Sequence, residues 1–148
     1  MVRIKGVRKL LINSPLELRE QPLNDSIENA QKYVNSDFEN TYFLGYRDIP
    51  HFLGKYTLGK RAIDYGCGTG RSTRFLKANG FEAIGVDVSN KMLEQAIIID
   101  PISHYLQIKS AEIPVIDSSC DLILSCFVLL QFLQSRNCLQ FLKKFIDL

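Results

Sequence analysis

The sequence contains no apolar run approaching the roughly 20 residues that a membrane-spanning helix needs. Its N-terminus lacks the compact apolar stretch and small-residue cleavage site of a signal peptide. Cysteine is sparse and poorly spaced for metal. Cys67, Cys120, Cys126 and Cys138 include no C-x-x-C pair, and His51 and His104 stand far apart in the chain. Neither a metal site nor a disulfide framework is expected from that spacing. An excess of one charge is also missing. Eighteen basic and 16 acidic residues leave a net charge of +2, too little to signal nucleic acid. No internal repeat or low-complexity segment interrupts the chain. With 46% apolar and 23% charged residues, the composition is that of an ordinary globular protein, and the expected setting is the cytoplasm. A length of 148 residues allows one domain with a real core, not comfortably two.

Residues 1–24 carry Pro15 and Pro22 and show no sustained period, so they read as an irregular leader to a domain over residues 25–148. Arg3, Lys5, Arg8 and Lys9 alternate there with apolar residues, the pattern of a strand or tail with solvated charges. A basic arm, a partner-binding edge and a lipid-surface contact are the alternatives. The pattern turns helical from about Ser26 to Phe38, with Asp25 and Glu28 spaced as a capping box. A second helical piece, interrupted by Pro50, spans about Arg47 to Lys55.

A regular alternation then begins. "RAIDY" (61–65) predicts a buried strand, and "RSTRFLKANG" (71–80) a helix stopped by Asn79-Gly80. "FEAIGVDV" (81–88) predicts a strand and "SNKMLEQAIII" (89–99) a helix capped by Ser89 or Asn90 and ended at Asp100-Pro101. "HYLQIK" (104–109) and part of "CDLILSCFVL" (120–129) complete four strands, and an amphipathic helix is expected from about Arg136. The order is that of parallel βαβ construction.

The stretch "AIDYGCGTGRST" (62–73) carries the chemistry. Ligands of open α/β sheets bind beyond the carboxyl ends of the strands, where the loop must turn sharply and admit a ligand to its backbone. Side chains at Gly66 or Gly68 would obstruct this, and Gly70 lets the helix pack close to the sheet. The spacing is G-x-G-x-G, one residue shorter than the dinucleotide fingerprint G-x-G-x-x-G. Asp64 precedes the first glycine by two positions, where it would repel a diphosphate and suit a ligand bearing ammonium and sulfonium groups. Asp87 ends the next strand, 21 positions beyond Gly66, where a carboxylate can accept both hydroxyls of a ribose.

These motifs, with "AIGVDVSNKMLEQA" and "SAEIPVIDSSCDLILSCFVLLQF", resemble the class I S-adenosylmethionine-dependent methyltransferases over roughly residues 33–148. The resemblance implies a Rossmann-like parallel sheet with flanking helices, preceded by N-terminal helices. It also implies that about four of the family's usual seven strands are present, the C-terminal ones being absent. It implies S-adenosylmethionine as cofactor and a small-molecule methyl acceptor. Asp64 would hold the amino group of the methionine moiety, and Gly66, Cys67, Gly68 and Gly70 would form the floor beneath it. Asp87 would take the ribose, with Val88 beside it. Ser110, Ala111 and Glu112 fall where the family meets the adenine, with serine in place of the family's aspartate. Ser125 and Cys126, followed by Phe127, would line the cofactor at the end of the fourth strand. Cys126 has no histidine placed to activate it, so packing is its expected role. Tyr33, Tyr42, Phe43 and Tyr46 suit either an acceptor pocket or core packing between N-terminal helices and sheet.

No catalytic residue is assigned, because methyl transfer needs a base only when the acceptor must lose a proton early. An uncovered edge on the fourth strand predicts a homodimer or a partner chain that completes the sheet. Three functions stand open: a methyltransferase; a silent cofactor-binding or interaction module derived from one; and, most distantly, an NAD-dependent oxidoreductase.

Overall fold

A computed structural model describes residues 7–9, 26–35, 41–109, 114–116 and 120–126. Its centre is a four-stranded sheet made of β2 (Arg61–Tyr65), β3 (Glu82–Asp87), β4 (His104–Gln107) and β6 (Leu122–Leu124). The strand order is β4-β3-β2-β6 and every pairing is parallel. The path reverses at β2: successive strands step one way to β4, and the chain then crosses back to β6 on the other side. Such a switch point opens a crevice at the carboxyl ends of β2 and β6.

Alternation along the strands divides the apolar side chains between two faces. On one face Ala62, Leu76, Phe81, Ala83 and Leu53 form a core, with Phe75, Leu122 and Leu124 packed against it. On the other, Ile63, Tyr65, Val86 and Ile108 gather with Ile84, Val88, Cys120 and Ile123. With both faces covered, β2 has no need to alternate apolar and polar residues, and its last four residues are all buried.

The helices of the core follow the expected punctuation. In α4 (Arg71–Ala78), the Phe81 amide bonds the Leu76 carbonyl at 3.1 Å and the Gly80 amide the Lys77 carbonyl at 2.9 Å. That is a Schellman closure, with Gly80 at φ 82°. In α5 (Asn90–Ile99), Ser89 is the N-cap, its hydroxyl accepting the Met92 amide at 3.2 Å. Met92, Leu93 and Ala96 are its buried stripe.

Upstream of the sheet, three short helices lie among the described residues. Helix α1 covers Ile27–Asn35, and its first turn is capped by Ser26, whose hydroxyl accepts the Asn29 amide at 3.1 Å. Asp25 and residues 36–40 lie outside the described residues. The single interrupted helix expected over residues 47–55 is two, α2 (Thr41–Arg47) and α3 (Ile49–Tyr56). Pro50 opens α3 instead of breaking a helix, since the first turn needs no amide donor there. Within the leader, β1 (Val7–Lys9) pairs antiparallel with β5 (Pro114–Ile116). A strand was one of the readings of the alternation over residues 3–9, and β1 bears it out over Val7–Lys9; β5 and the pairing of the two were not expected, because that pairing is non-local. The helix expected from Arg136 lies outside the described residues. Among those described, no helix is long and apolar enough to cross a membrane.

Candidate functional site

The glycine loop leaves β2 and is pinned at once to β3. The amides of Gly66 and Cys67 both bond the Val86 carbonyl, at 2.8 and 3.0 Å. Gly66, Gly68 and Gly70 have φ of 75°, 53° and 78°, in the left-handed region that side chains disfavour. Gly70 has a second constraint: a Cβ there would overlap the Tyr105 hydroxyl, which reaches under the loop from β4. A Cβ on Gly68 would meet no protein atom within 4 Å, so that part of the backbone faces open space.

Asp64 lies beneath this loop and is fully buried. Its Oδ2 accepts two hydroxyls from the first turn of α4, Ser72 Oγ and Thr73 Oγ1, each at 2.6 Å. Its Oδ1 has no hydrogen-bond partner among the described residues. Burial drives the carboxyl up to about 6; the two hydroxyls oppose that rise and the Asp87 charge adds to it. A buried acceptor without a donor is costly, so this oxygen is suited to a cationic or hydrogen-bonding ligand group.

Asp87 stands at the carboxyl end of β3, half-buried. Its Oδ2 accepts the Gly68 amide at 2.7 Å and its Oδ1 the Ser89 amide at 2.9 Å. One carboxylate therefore ties the glycine loop to the start of α5. Val88 follows it, packed against the core of one sheet face while its carbonyl accepts Gln107 Nε2 at 3.2 Å.

Beyond β6, Ser125 Oγ is buried with no partner among the described residues. The Cys126 thiol hydrogen-bonds with Tyr46 of α2 and is pushed up to about 11 by burial and the Asp64 charge. It therefore stays protonated at neutral pH, in keeping with a packing role. Cys67, buried inside the loop, is likewise pushed well above the ordinary thiol value, chiefly by its burial and then by the Asp64 charge. Both histidines are exposed: His51 sits edge-on to Phe52 at 5.7 Å, and His104 lies at the start of β4. Among the described residues, no three His, Cys, Asp or Glu side chains gather as a metal site.

The fold thus brings Asp64, Gly66, Cys67, Gly68, Gly70, Asp87, Val88, Ser125 and Cys126 to the carboxyl ends of the sheet. Ser110, Ala111 and Glu112 lie outside the described residues, as do the side chains of Tyr33, Tyr42 and Phe43. Ser72 and Thr73 were not singled out as site residues. The signal was present in two hydroxyl residues opening a helix eight and nine positions after a buried acid.

An open parallel sheet, a glycine loop at its switch point and acids at or one residue from the carboxyl ends of the two central strands define a nucleoside-binding α/β domain. The sequence profile of the family described as "Methyltransferase domain" matches residues 63–146, more than half of the chain. This chain belongs to that family, the class I S-adenosylmethionine-dependent methyltransferases. It is 35% identical over 65 residues to malonyl-[acyl-carrier protein] O-methyltransferase of Enterobacter lignolyticus; the match covers 44% of this chain and 26% of that protein. Its fold is similar to that of Streptomyces venezuelae DesVI, with TM-score 0.61 and 18% identity, covering 78% of this chain and 49% of the other. It is similar also to an S-adenosylmethionine-dependent methyltransferase from Clostridium acetobutylicum, with TM-score 0.59 and 17% identity, covering 78% and 50%. The chain thus spans about a quarter of that curated relative and about half of each of those structures.

Proposed function

We propose that this chain binds S-adenosylmethionine at the carboxyl ends of β2, β3 and β6 and transfers its methyl group to a small-molecule acceptor. The observation that carries the reading is the buried Asp64 carboxylate, with one oxygen saturated by Ser72 and Thr73 and the other without a partner among the described residues. That oxygen suits the ammonium of a methionine moiety, met directly or through water. The Gly66–Gly70 backbone would form the floor beneath it. Asp87 stands at the carboxyl end of β3 beside the glycine loop, where a carboxylate can accept from the hydroxyls of a ribose. Val88, Ser110, Ala111 and Glu112 would flank the adenine, and Ser125 and Cys126 would close the side toward β6.

When bound, the sulfonium supplies an electrophilic methyl group on a good leaving group. What the protein adds is alignment of the acceptor and exclusion of water. The exposed His51 and His104 take no part in this reading as a base. The cytoplasm is the proposed setting, in keeping with the free thiols of Cys67, Cys120 and Cys126. A homodimer or partner chain pairing along β6 belongs to the same proposal. Its support is that β6 has β2 as its one strand neighbour among the described residues.

Calorimetric titration with S-adenosylhomocysteine, with Asp87→Ala as control, tests the reading. One-to-one binding that the control loses supports it. A folded protein that binds nothing overturns it. A second reading is a cofactor-binding module without turnover, built on the same Asp64, Asp87 and glycine-loop site. Binding without methyl transfer to any acceptor would select it.

A further inference from the structure

β4 forms the edge of the sheet opposite β6, and among the described residues β3 is its one strand neighbour. Its backbone is used on one side only. The Ile108 amide bonds the Asp87 carbonyl at 2.9 Å, and Leu106 pairs with Val86. Along a parallel ladder, alternate residues turn both backbone groups to the same neighbour. Leu106 and Ile108 therefore face β3, and the amides and carbonyls of Tyr105 and Gln107 point to the open edge. Natural sheets guard such an edge with charge, proline, a bulge or a covering element. β4 reads "HYLQ", without Asp, Glu, Lys or Arg, and its register with β3 is unbroken. The acid just upstream, Asp100, is held by Lys77 at 3.7 Å. What this stretch exposes instead is apolar: Ile98, Ile102 and Leu106 are 71%, 82% and 40% exposed.

We propose that β4 is the interface at which two copies of this chain join their sheets, strand against strand and antiparallel. The outward groups select a second copy because they are symmetric about Leu106. A two-fold axis through Leu106 sets Tyr105 opposite Gln107 of the second copy, and Gln107 opposite its Tyr105. Each such pair exchanges both backbone bonds, so every outward group of β4 is satisfied. Leu106 then meets its own counterpart at the close, non-hydrogen-bonded position, with Cα atoms about 4.5 Å apart. Neighbouring registers fit less well. Pairing Tyr105 with itself calls on the Ser103 amide, which already bonds the Asp100 carbonyl at 3.4 Å. Pairing Gln107 with itself calls on Lys109, beyond the end of β4. The lack of charge also suits self-association, since like charges facing each other across the axis would repel. Ile98 of α5 and Ile102 of the turn before β4 add exposed apolar surface to the same stretch of chain. This edge lies across the sheet from β6, so the proposal is independent of any pairing there and of the cofactor.

Sedimentation velocity of the full chain under reducing conditions, from about 5 to about 500 μM protein, tests this without any ligand. A dimer with a Kd of about 1–100 μM is expected of so short an edge. Leu106→Lys sets two ammonium groups opposite each other at the axis and should weaken that dimer at least about tenfold. Leu106→Cys gives an independent check. Cα atoms about 4.5 Å apart lie within disulfide reach, so mild oxidation should link this variant as a dimer, well above the background of the wild-type cysteines. A wild type that stays monomeric throughout the range overturns the proposal. A dimer that Leu106→Lys leaves intact, or that Leu106→Cys fails to cross-link, likewise overturns it and places the contact elsewhere, β6 included. If Leu106→Lys does not fold, Leu106→Cys alone decides: a cross-linked dimer supports the interface, and its absence sinks it.

Discussion

The Asp87 carboxylate holds the Gly68 amide at 2.7 Å, across 19 positions of sequence. This bond fixes the middle of the glycine loop against the end of β3, so the acid read as a ribose contact also maintains the loop. Asp87→Ala is therefore expected to act twice. Loss of the acceptor leaves the Gly68 and Ser89 amides short of a partner, at about 1–3 kcal/mol of stability by thermal or urea denaturation. Affinity for S-adenosylhomocysteine should fall by at least about tenfold under conditions where the variant remains folded, as a charged hydrogen-bond partner is lost. Asp87→Asn should recover part of the stability and little of the binding, since one of the two accepting oxygens becomes an NH2 group that cannot accept and the negative charge is lost.

Asp64 makes stability and binding run in opposite directions with pH. Its folded value of about 6 lies above the ordinary carboxyl value of about 4. Between those two values the folded protein holds a proton that the unfolded chain has released. The stabilising contribution is thus full below about pH 4 and is lost as pH rises through the folded value near 6, a difference of about 3 kcal/mol. The ligand-free protein should lose melting temperature across this window, and Asp64→Asn should flatten the loss and melt higher at pH 7.5. A cationic ligand group requires the charged carboxylate, so affinity should be about tenfold weaker at pH 5 than at pH 7.5. Calorimetry at the two pH values checks this, with Asp64→Asn binding weakly at both.

Thr73 is fully buried and gives its proton to Asp64 at 2.6 Å. Thr73→Val preserves shape and removes only that donor. A charged carboxylate that loses one of two hydroxyl partners should cost about 1–3 kcal/mol at pH 7.5, and less at pH 4.5, where the carboxyl is neutral. Denaturation at the two pH values checks the difference. Equal losses at both would mean that Thr73 serves by packing alone.

The core could be read from the sequence because its signals are local. A strand, a turn that only glycine tolerates, a helix and a second strand ending in acid follow one another over Arg61–Asp87, and each was placed within a residue or two. Ser89 and Gly80 mark their helix ends by side-chain and backbone chemistry that needs no tertiary context. What escaped depends on contacts distant in sequence. The β1–β5 ribbon pairs Val7 with Ile116, and nothing near either residue announces the other. Tyr46 was one of four aromatics open to two readings, and only the fold shows it against Ser72 and Cys126. Pro50 misled because a proline that breaks a helix and one that begins a helix differ only in where the first turn lies.

Gly85 looks like an ordinary interruption in β3, yet its neighbours make it obligatory. In register it lies between Asp64 and Tyr105. A Cβ there would come within 2.7 Å of Thr73 Oγ1, 2.7 Å of Tyr105 Cδ1 and 2.9 Å of Cys67 Sγ. The missing side chain lets the glycine loop and α4 settle onto the sheet, with the Tyr105 ring filling the remaining space. Gly85→Ala should cost about 1–3 kcal/mol, the usual penalty of overpacking. Tyr105 lies on the edge strand β4 and can yield, whereas Thr73 and Cys67 cannot move without disturbing Asp64 or the loop. A cycle of Gly85→Ala, Tyr105→Ala and the double variant should accordingly show favourable coupling of about 0.5–2 kcal/mol. The Tyr105 hydroxyl adds a further asymmetry. It is buried and meets no hydrogen bond of ordinary geometry among the described residues, while the neighbouring Ser103, which gives its own proton to Asp100 and accepts from Lys77, keeps one lone pair toward it. Tyr105→Phe removes an unsatisfied polar atom and keeps the ring under Gly70. It should raise stability by about 1 kcal/mol in urea denaturation, without weakening S-adenosylhomocysteine binding. A loss of stability would instead mean that the hydroxyl has a partner in the folded protein.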